Sequence, residues 1–370
     1  IRSYGRYYSI ELDEYFTIQI DLNEKNRNEY VIMNLINTGG SINPLECSLI
    51  YSNKGTIDSE FGNKIKLNSY KSYTVNGNNV IIQNADESED IFEYDSSTQK
   101  YINKEKHLTA TVVKDMYSSI TEVAIQSKDK TEMDIKKGNN YPTLIQKGQR
   151  ETRFVLSGTK IASISNQVKD VIEFSHGGTN TTITWKKNGY INRKVDLTYD
   201  ASKNLTGIKI KNKNDQLIGN YSLELSSGLI KIENNVSYKS IKVTVGSNYT
   251  EVEKGYQEGY QEEENVTITY NGSATNVKSS IGPEMKYIYG QDDKIVCEVS
   301  SSNIVNIYKY RDHKLLKKVN PLSTLESSDS IMRNGYFNGG FNNWTMSSNV
   351  SLATCGSEVG FNFLCKKKKK

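Results

Sequence analysis

The side chains best suited to nucleophilic or metal chemistry are three histidines and four cysteines in 370 residues. His176-Gly177-Gly178 has the composition of a loop whose backbone N–H groups could face an oxyanion. Such a loop serves a nucleophile, however, and no G-x-S-x-G turn occurs to present one. His107 and His313 stand without a companion at H-E-x-x-H spacing, and there is no CxxC pair and no GxxxxGK[ST] loop. All three histidines read as surface or turn residues. Cys47, Cys297, Cys355 and Cys365 show neither metal spacing nor a disulfide framework. The densest acidic runs, Asp86-Glu87-Ser88-Glu89-Asp90 and Glu262-Glu263-Glu264, offer the hard oxygens that calcium prefers but lack the D-x-D-x-D-G order, so solvated loops are expected. A glycosidase carboxylate pair is defined by separation in space, which 43 scattered acidic residues do not specify. No catalytic residue, metal site or cofactor is assigned.

The elements that would carry any site are strands. Val195, Leu197 and Tyr199 alternate with polar residues, as do Ile208 and Ile210, then Tyr221, Leu223 and Leu225. Ile230 and Ile232, then Ile241, Val243 and Val245, and finally Val266, Ile268 and Tyr270 continue the pattern. This period of two puts one face of each segment toward a core. Clusters such as Ser226-Ser227-Gly228 punctuate the segments as hairpin turns, so the reading is an antiparallel meander. Tyr15 to Ile20 and Glu29 to Leu35 are further strand candidates.

Composition agrees. The hydrophobic fraction is 36% and the mean hydropathy −0.62, which allows only a thin core, and 25 tyrosines supply half-wet aromatic surface for pleated sheets. The formal charge of +4 includes the terminal run Lys366 to Lys370; without it the chain is about neutral, so nucleic acid is not an expected partner. That run reads as a tag or reading-frame artefact. No stretch of 18 apolar residues occurs, so no membrane span is expected in this segment, and a secretion signal is expected upstream. Heavy use of Lys, Asn, Ile and Tyr suits a low-GC bacterium.

A unit of Tyr-Asp, a turn and a returning aliphatic recurs. Tyr199-Asp200 leads to Leu205 and Ile208, Tyr289 to Ile295, and Tyr310-Arg311-Asp312 to Leu316 and Val319, at a spacing near 20 residues. Asp can bond its own backbone to open the turn. Tyr94-Asp95 stands in a similar phrase, Phe92 to Tyr101. The segment Leu45 to Asn68, with Tyr51-Ser52-Asn53 and Phe61-Gly62, and the segment Phe154 to Ile164, with Ser157-Gly158, complete the set. On these residues the chain resembles the Rhs/YD-repeat family of secreted and cell-surface proteins of Gram-positive bacteria. Leu45 to Asn68 is similar to that family's opening segment, a turn followed by a glycine-aromatic strand. The chain departs from the family where a turn glycine is replaced, by Lys203-Asn204, Asp293-Lys294 and His313-Lys314.

The resemblance implies an all-β fold, a long antiparallel sheet of hairpin repeats curling as part of a shell, with Tyr94, Asp95, Tyr199, Asp200, Leu205, Tyr310 and Asp312 as structural repeat residues. It implies a non-catalytic role: enclosing or presenting a downstream toxin domain, or displaying an adhesive surface. Residues 1–44 read as a β segment without a family, 45–320 as the repeat region and 321–332 as a linker. Residues 333–365 resemble the start of a carbohydrate-binding β-sandwich, cut short, in which Tyr336, Phe341 and Trp344 could stack on sugar rings. The tandem Gly255-Tyr256-Gln257-Glu258 and Gly259-Tyr260-Gln261-Glu262 reads as an inserted hairpin tip. Cell-wall or host glycans are candidate partners, and a glycan-binding adhesin or a polysaccharide-active enzyme are the rival functions.

Overall fold

Alternating aliphatics become sheet wherever a second face is available to cover them, and the chain satisfies this twice. A computed structural model describes residues 7–22, 28–40, 42–257, 262–290, 294–300, 304–311, 314–319, 351–352 and 364–365. Among them there is no α-helix. The expected all-β fold, built as a long antiparallel sheet of hairpins, is the observed one.

The first five strands pair in sequence order: β1 (Tyr7–Asp13), β2 (Phe16–Asp21), β3 (Glu29–Asn37), β4 (Glu46–Ser52) and β5 (Ile65–Leu67). Phe16 pairs with Met33 and Ile18 with Val31, so the apolar sets of β2 and β3 share one buried face. Because β3 pairs with β4, the expected boundary after residue 44 falls inside this sheet. Phe61-Gly62 also departs from expectation: it lies in a turn, not a strand, because Gly62 takes φ +113°, which an extended strand does not use.

A meander follows. It begins with β6 (Lys71–Asn76), β7 (Asn79–Asn84), β8 (Glu89–Asp95), β9 (Lys100–Asn103), β10 (Leu108–Lys114), β11 (Ile120–Gln126) and β12 (Thr131–Lys136). These strands curl enough for the Lys71 N–H to donate to the Asn140 carbonyl at 2.9 Å and the Tyr73 hydroxyl to the Ile120 carbonyl at 3.1 Å. Val80, Ile82, Phe92, Val123 and Ile135 pack inside the curl. The meander continues through β13 (Leu144–Lys147), β14 (Arg150–Ser157), β15 (Lys160–Asn166), β16 (Asp170–His176) and β17 (Asn180–Lys187). Next come β18 (Tyr190–Tyr199), β19 (Leu205–Asn212), β20 (Leu217–Leu225), β21 (Leu229–Asn234), β22 (Lys239–Val245) and β23 (Tyr249–Tyr256).

The chain divides into two compact units, with the strands above in the first. From Val266 onward the second holds most of β24 (Glu264–Asn271), then β25 (Ala274–Ser279), β26 (Met285–Tyr289), β27 (Ile295–Ser300), β28 (Ile304–Arg311) and β29 (Lys314–Val319), again paired in order. Ile288, Cys297 and Val299 form its small core.

One turn design recurs between strands. At 200–204, the Lys203 N–H returns to the Asp200 carbonyl at 3.1 Å, the Asp200 N–H meets the Asn204 carbonyl at 3.0 Å, and Lys203 adopts φ +64°. Asp200 Oδ1 accepts the N–H groups of Ser202 and Asn204. The same pattern, an Asp, Asn or Ser at the start and a left-handed residue three places on, occurs at Asp115 with Ser118, Ser127 with Lys130, Asn166 with Lys169 and Asn212 with Asp215. This is a type I turn closed by a left-handed residue, a three-residue hairpin loop in which glycine is the easy choice. Lys203 takes the left-handed position, and the side-chain oxygen of the opening residue Asp200 holds the turn.

A left-handed non-glycine residue costs roughly 1–2 kcal/mol, part of which glycine returns through its own chain entropy. Lys203→Gly should therefore raise stability by about 0.5–1 kcal/mol, and Lys203→Val should lower it by more than about 1 kcal/mol in urea denaturation. The Asn204 side chain and backbone, with the Ser202 N–H, hold the Asp200 carboxyl below its ordinary value of 3.8. Its contribution is thus present above that ordinary value and is lost as the pH falls through the lower folded-state value. The stability gap between the native chain and Asp200→Ala should narrow as the pH is lowered from about 5 to about 2. A gap that stays constant over that range would contradict the turn assignment.

Candidate functional site

The docking of the N-terminal sheet against the meander is where this chain concentrates its buried polar chemistry. Between β4 and β5 the loop 53–64 meets the meander's hairpins in their chain order. Glu60 Oε1 accepts the Tyr141 hydroxyl at 2.8 Å and the Ile161 N–H at 3.0 Å. Phe61, fully buried, packs edge-on against Phe174 and His176 at ring separations of 5.8 and 5.4 Å. Gly62 lies against the Tyr199 ring and the Lys203 carbonyl, where a Cβ would stand 2.8 Å from that oxygen. The Asn63 N–H donates to the same carbonyl at 3.2 Å, while its side-chain amide donates to the Ser202 carbonyl at 2.7 Å. Lys64 Nζ reaches Ser227 Oγ at 3.1 Å.

Three further carboxylates bind the sheet. Glu29, 1% exposed on β3, accepts Thr250 Oγ1 at 2.7 Å and Asn53 Nδ2 at 2.9 Å. Asp13 Oδ2 accepts the Tyr221 hydroxyl at 2.9 Å and Asn234 Nδ2 at 3.2 Å, beside Phe16, whose ring is tilted against the Tyr221 ring at a centroid separation of 4.4 Å. Glu87 reaches out from the β7–β8 turn to accept the N–H groups of Thr56 and Ile57 at 3.0 and 3.1 Å, and it pairs with Lys66 Nζ at 2.5 Å. The Lys66 side chain is wholly buried. The run 86–90, expected as a solvated loop, instead turns Glu87 inward to this clamp and pairs Asp90 with Lys106.

Electrostatics follow from the burial. Desolvation, then the Asp13 charge, raises the Tyr221 hydroxyl well above the ordinary tyrosine range, and Tyr141 rises likewise through burial and Glu60. Burial and the Glu29 charge push Tyr51 to about 12. The Tyr221 and Tyr141 hydroxyls stay protonated as donors, which is what a carboxylate acceptor requires. Burial alone pushes Cys47 to about 12, and burial beside Glu298 pushes Cys297 to about 11, so neither thiol forms a thiolate near neutral pH. His176 Nε2–H donates to the Ile161 carbonyl at 2.8 Å, and the Gly177 N–H closes the turn onto Asn180, so the His-Gly-Gly phrase is a hairpin turn.

The repeat residues singled out from sequence are spread along the chain. Tyr199, which pairs with Leu205, lies under Gly62 with the Asp200 turn beside it and is the pair that reaches the clasp. Tyr94 is exposed and tilts against Tyr101 at 5.2 Å, while Asp95 holds its turn through Ser97 and Thr98. Tyr310, in the second unit, donates to the Ile295 carbonyl at 3.0 Å, with Lys294 over its ring. Asp312, Tyr336, Phe341 and Trp344 lie outside the described residues, as do the linker and most of residues 333–365. Asp13, Glu29, Glu60, Glu87 and Lys66 were not found from sequence. Lys66 carries the signal of a lone charge between aliphatics, Ile65-Lys66-Leu67, whereas Glu87 falls in an acidic run that reads as a solvated loop.

No family model and no curated protein matches the chain. Among solved structures the chain is similar to one in the crystal structure of TcdB2-TccC3-Cdc42, at 7% identity and a TM-score of 0.18. It is also similar to one in the Photorhabdus luminescens Tc holotoxin pore with the mutation TccC3-D651A, at 9% identity and a TM-score of 0.20. Each covers 87% of this chain, which spans a fifth of theirs, and likeness at this level carries no argument about function.

Removing one partner of a buried ion pair costs about 3–5 kcal/mol, and orphaning a buried donor about 1–3 kcal/mol. Lys66→Met should destabilise the chain by the larger amount and Glu29→Ala by the smaller in chemical denaturation. Gly62→Ala, which must move either the turn or the Lys203 carbonyl, should cost at least about 1 kcal/mol. Wild-type midpoints for all three variants would show that the clasp is dispensable.

Proposed function

We propose that this chain is a non-catalytic structural segment of a secreted or cell-surface Rhs-like shell that encloses or presents a downstream effector. The observation that carries the reading is the clasp: residues 60 to 64 engage successive hairpins of a continuous meander, Gly62 and Asn63 at the Tyr-Asp turn that marks the repeat. A one-layer sheet made of hairpins has little core of its own, so a strap across several hairpins fixes its curvature. The carboxylates of Asp13, Glu29 and Glu60 are here engaged by internal donors. The repeat residues serve the same end, since Asp200 sets the turn that Gly62 and Asn63 contact.

The work done is steric, and it needs no cofactor. A protein longer than this chain, with an effector after residue 370, is part of the proposal. In that protein the downstream segment should resist limited proteolysis, and Gly62→Asp, which drives a charged side chain into the Lys203 carbonyl, should speed its cleavage at least tenfold. Equal cleavage in both proteins, or turnover of cell-wall polysaccharide by this chain alone, would overturn the shell reading.

A further inference from the structure

A cavity of about 300 Å3 opens between the second face of the N-terminal sheet and the β7–β8 turn. One wall is Tyr30 and Ile32 of β3 with Ile50 of β4, an aromatic and aliphatic surface. The other is polar, and its groups are fixed by one another. Asn84 donates to Ser88 Oγ at 3.1 Å and to Asp90 Oδ2 at 3.2 Å, while its carbonyl oxygen accepts Lys71 Nζ. Asn68 Oδ1 accepts the Ser48 N–H at 3.3 Å, and Lys106 pairs with Asp90. Gln19 completes the lining from β2.

We infer that this cavity binds a single neutral sugar ring. Charge argues against an anion, because Lys106 is neutralised by Asp90 and the lining holds the Asp86 carboxylate as well as Lys71. The remaining groups are amides and a hydroxyl: Gln19 and Asn68 can donate and accept, as sugar hydroxyls do, while Asn84, its N–H groups engaged by Ser88 and Asp90, can still accept. An apolar wall beside convergent polar groups is the usual make-up of a small-molecule site, and the volume lies at the lower end of the range such sites occupy. Sugar C–H faces would rest on Ile32, Ile50 and Tyr30, with the hydroxyls toward Asn68, Asn84 and Gln19. Because hydrogen bonds already order Asn68 and Asn84, binding need not freeze them further.

The test is calorimetric titration of the whole chain with glucose, galactose, mannose and N-acetylglucosamine, and with sodium phosphate at matched ionic strength. At least one sugar should bind saturably and raise the melting temperature, phosphate should not, and Ile32→Trp, which fills the cavity, should weaken sugar binding at least tenfold. Should Ile32→Trp fail to fold, Gln19→Phe on the adjacent strand fills the same space. The inference is overturned if none of the four sugars binds, if phosphate alone does, or if a folded cavity-filling variant binds sugar as the native chain does. None of these outcomes bears on the shell reading, which rests on the contacts of residues 60 to 64 with the hairpins.

Discussion

A carboxylate taken out of water must find donors, and in this chain that requirement joins the two sheets of the first unit. Glu29 and Glu60 point from the N-terminal sheet and its loop into the meander, and Asp13 does so from the end of β1. Each meets a hydroxyl, and burial together with the carboxylate keeps those of Tyr141 and Tyr221 protonated. Charge-assisted bonds of this kind are short and directional, so they fix register between sheets where apolar packing alone would tolerate sliding. Glu87 and Lys66 do the same in the reverse sense, the carboxylate coming from the meander and the amine from β5.

This division of labour explains the composition. Apolar side chains account for the thin layer between sheets, Phe16 against Tyr221 and Phe61 against Phe174, and for the separate set around Phe92 and Val123 inside the curl of β6 to β12. A thin layer gives affinity without specificity, since many registers would bury similar area. The polar clamps remove that degeneracy at the expense of desolvation, which is why each has more than one donor. The turns serve the same economy. By using an Asp or Asn oxygen to hold a left-handed residue such as Lys203, the meander keeps tight hairpins where the resemblance leads one to expect glycine.

What the sequence made legible was local. Period-two alternation in Val195 to Tyr199 and Tyr221 to Leu225 marks β18 and β20 because pleating is a property of neighbouring residues. The Phe154 to Ile164 hairpin is visible for the same reason: Phe154 faces Ile164 across a turn of a few residues. The partnership of Glu29 with Thr250, or of Asp13 with Asn234, joins residues more than two hundred positions apart, and no spacing rule encodes it. Phe61-Gly62 lies between these cases. The pair was noticed, but its strand assignment missed that Gly62 is there to let backbone approach backbone. β3 and β4, on either side of residue 44, look separate in sequence until their pairing is seen.

Native-state hydrogen exchange on the Glu29→Ala variant measures the coupling most directly. If buried acceptors make one cooperative body of the two sheets, amides of β1 to β5 and of β14 to β23 will lose protection together and by the same free energy. Loss confined to β3 and its neighbours, with β20 to β23 as protected as in the native chain, would mean that the meander stands without its N-terminal sheet and that the clasp is not what holds it.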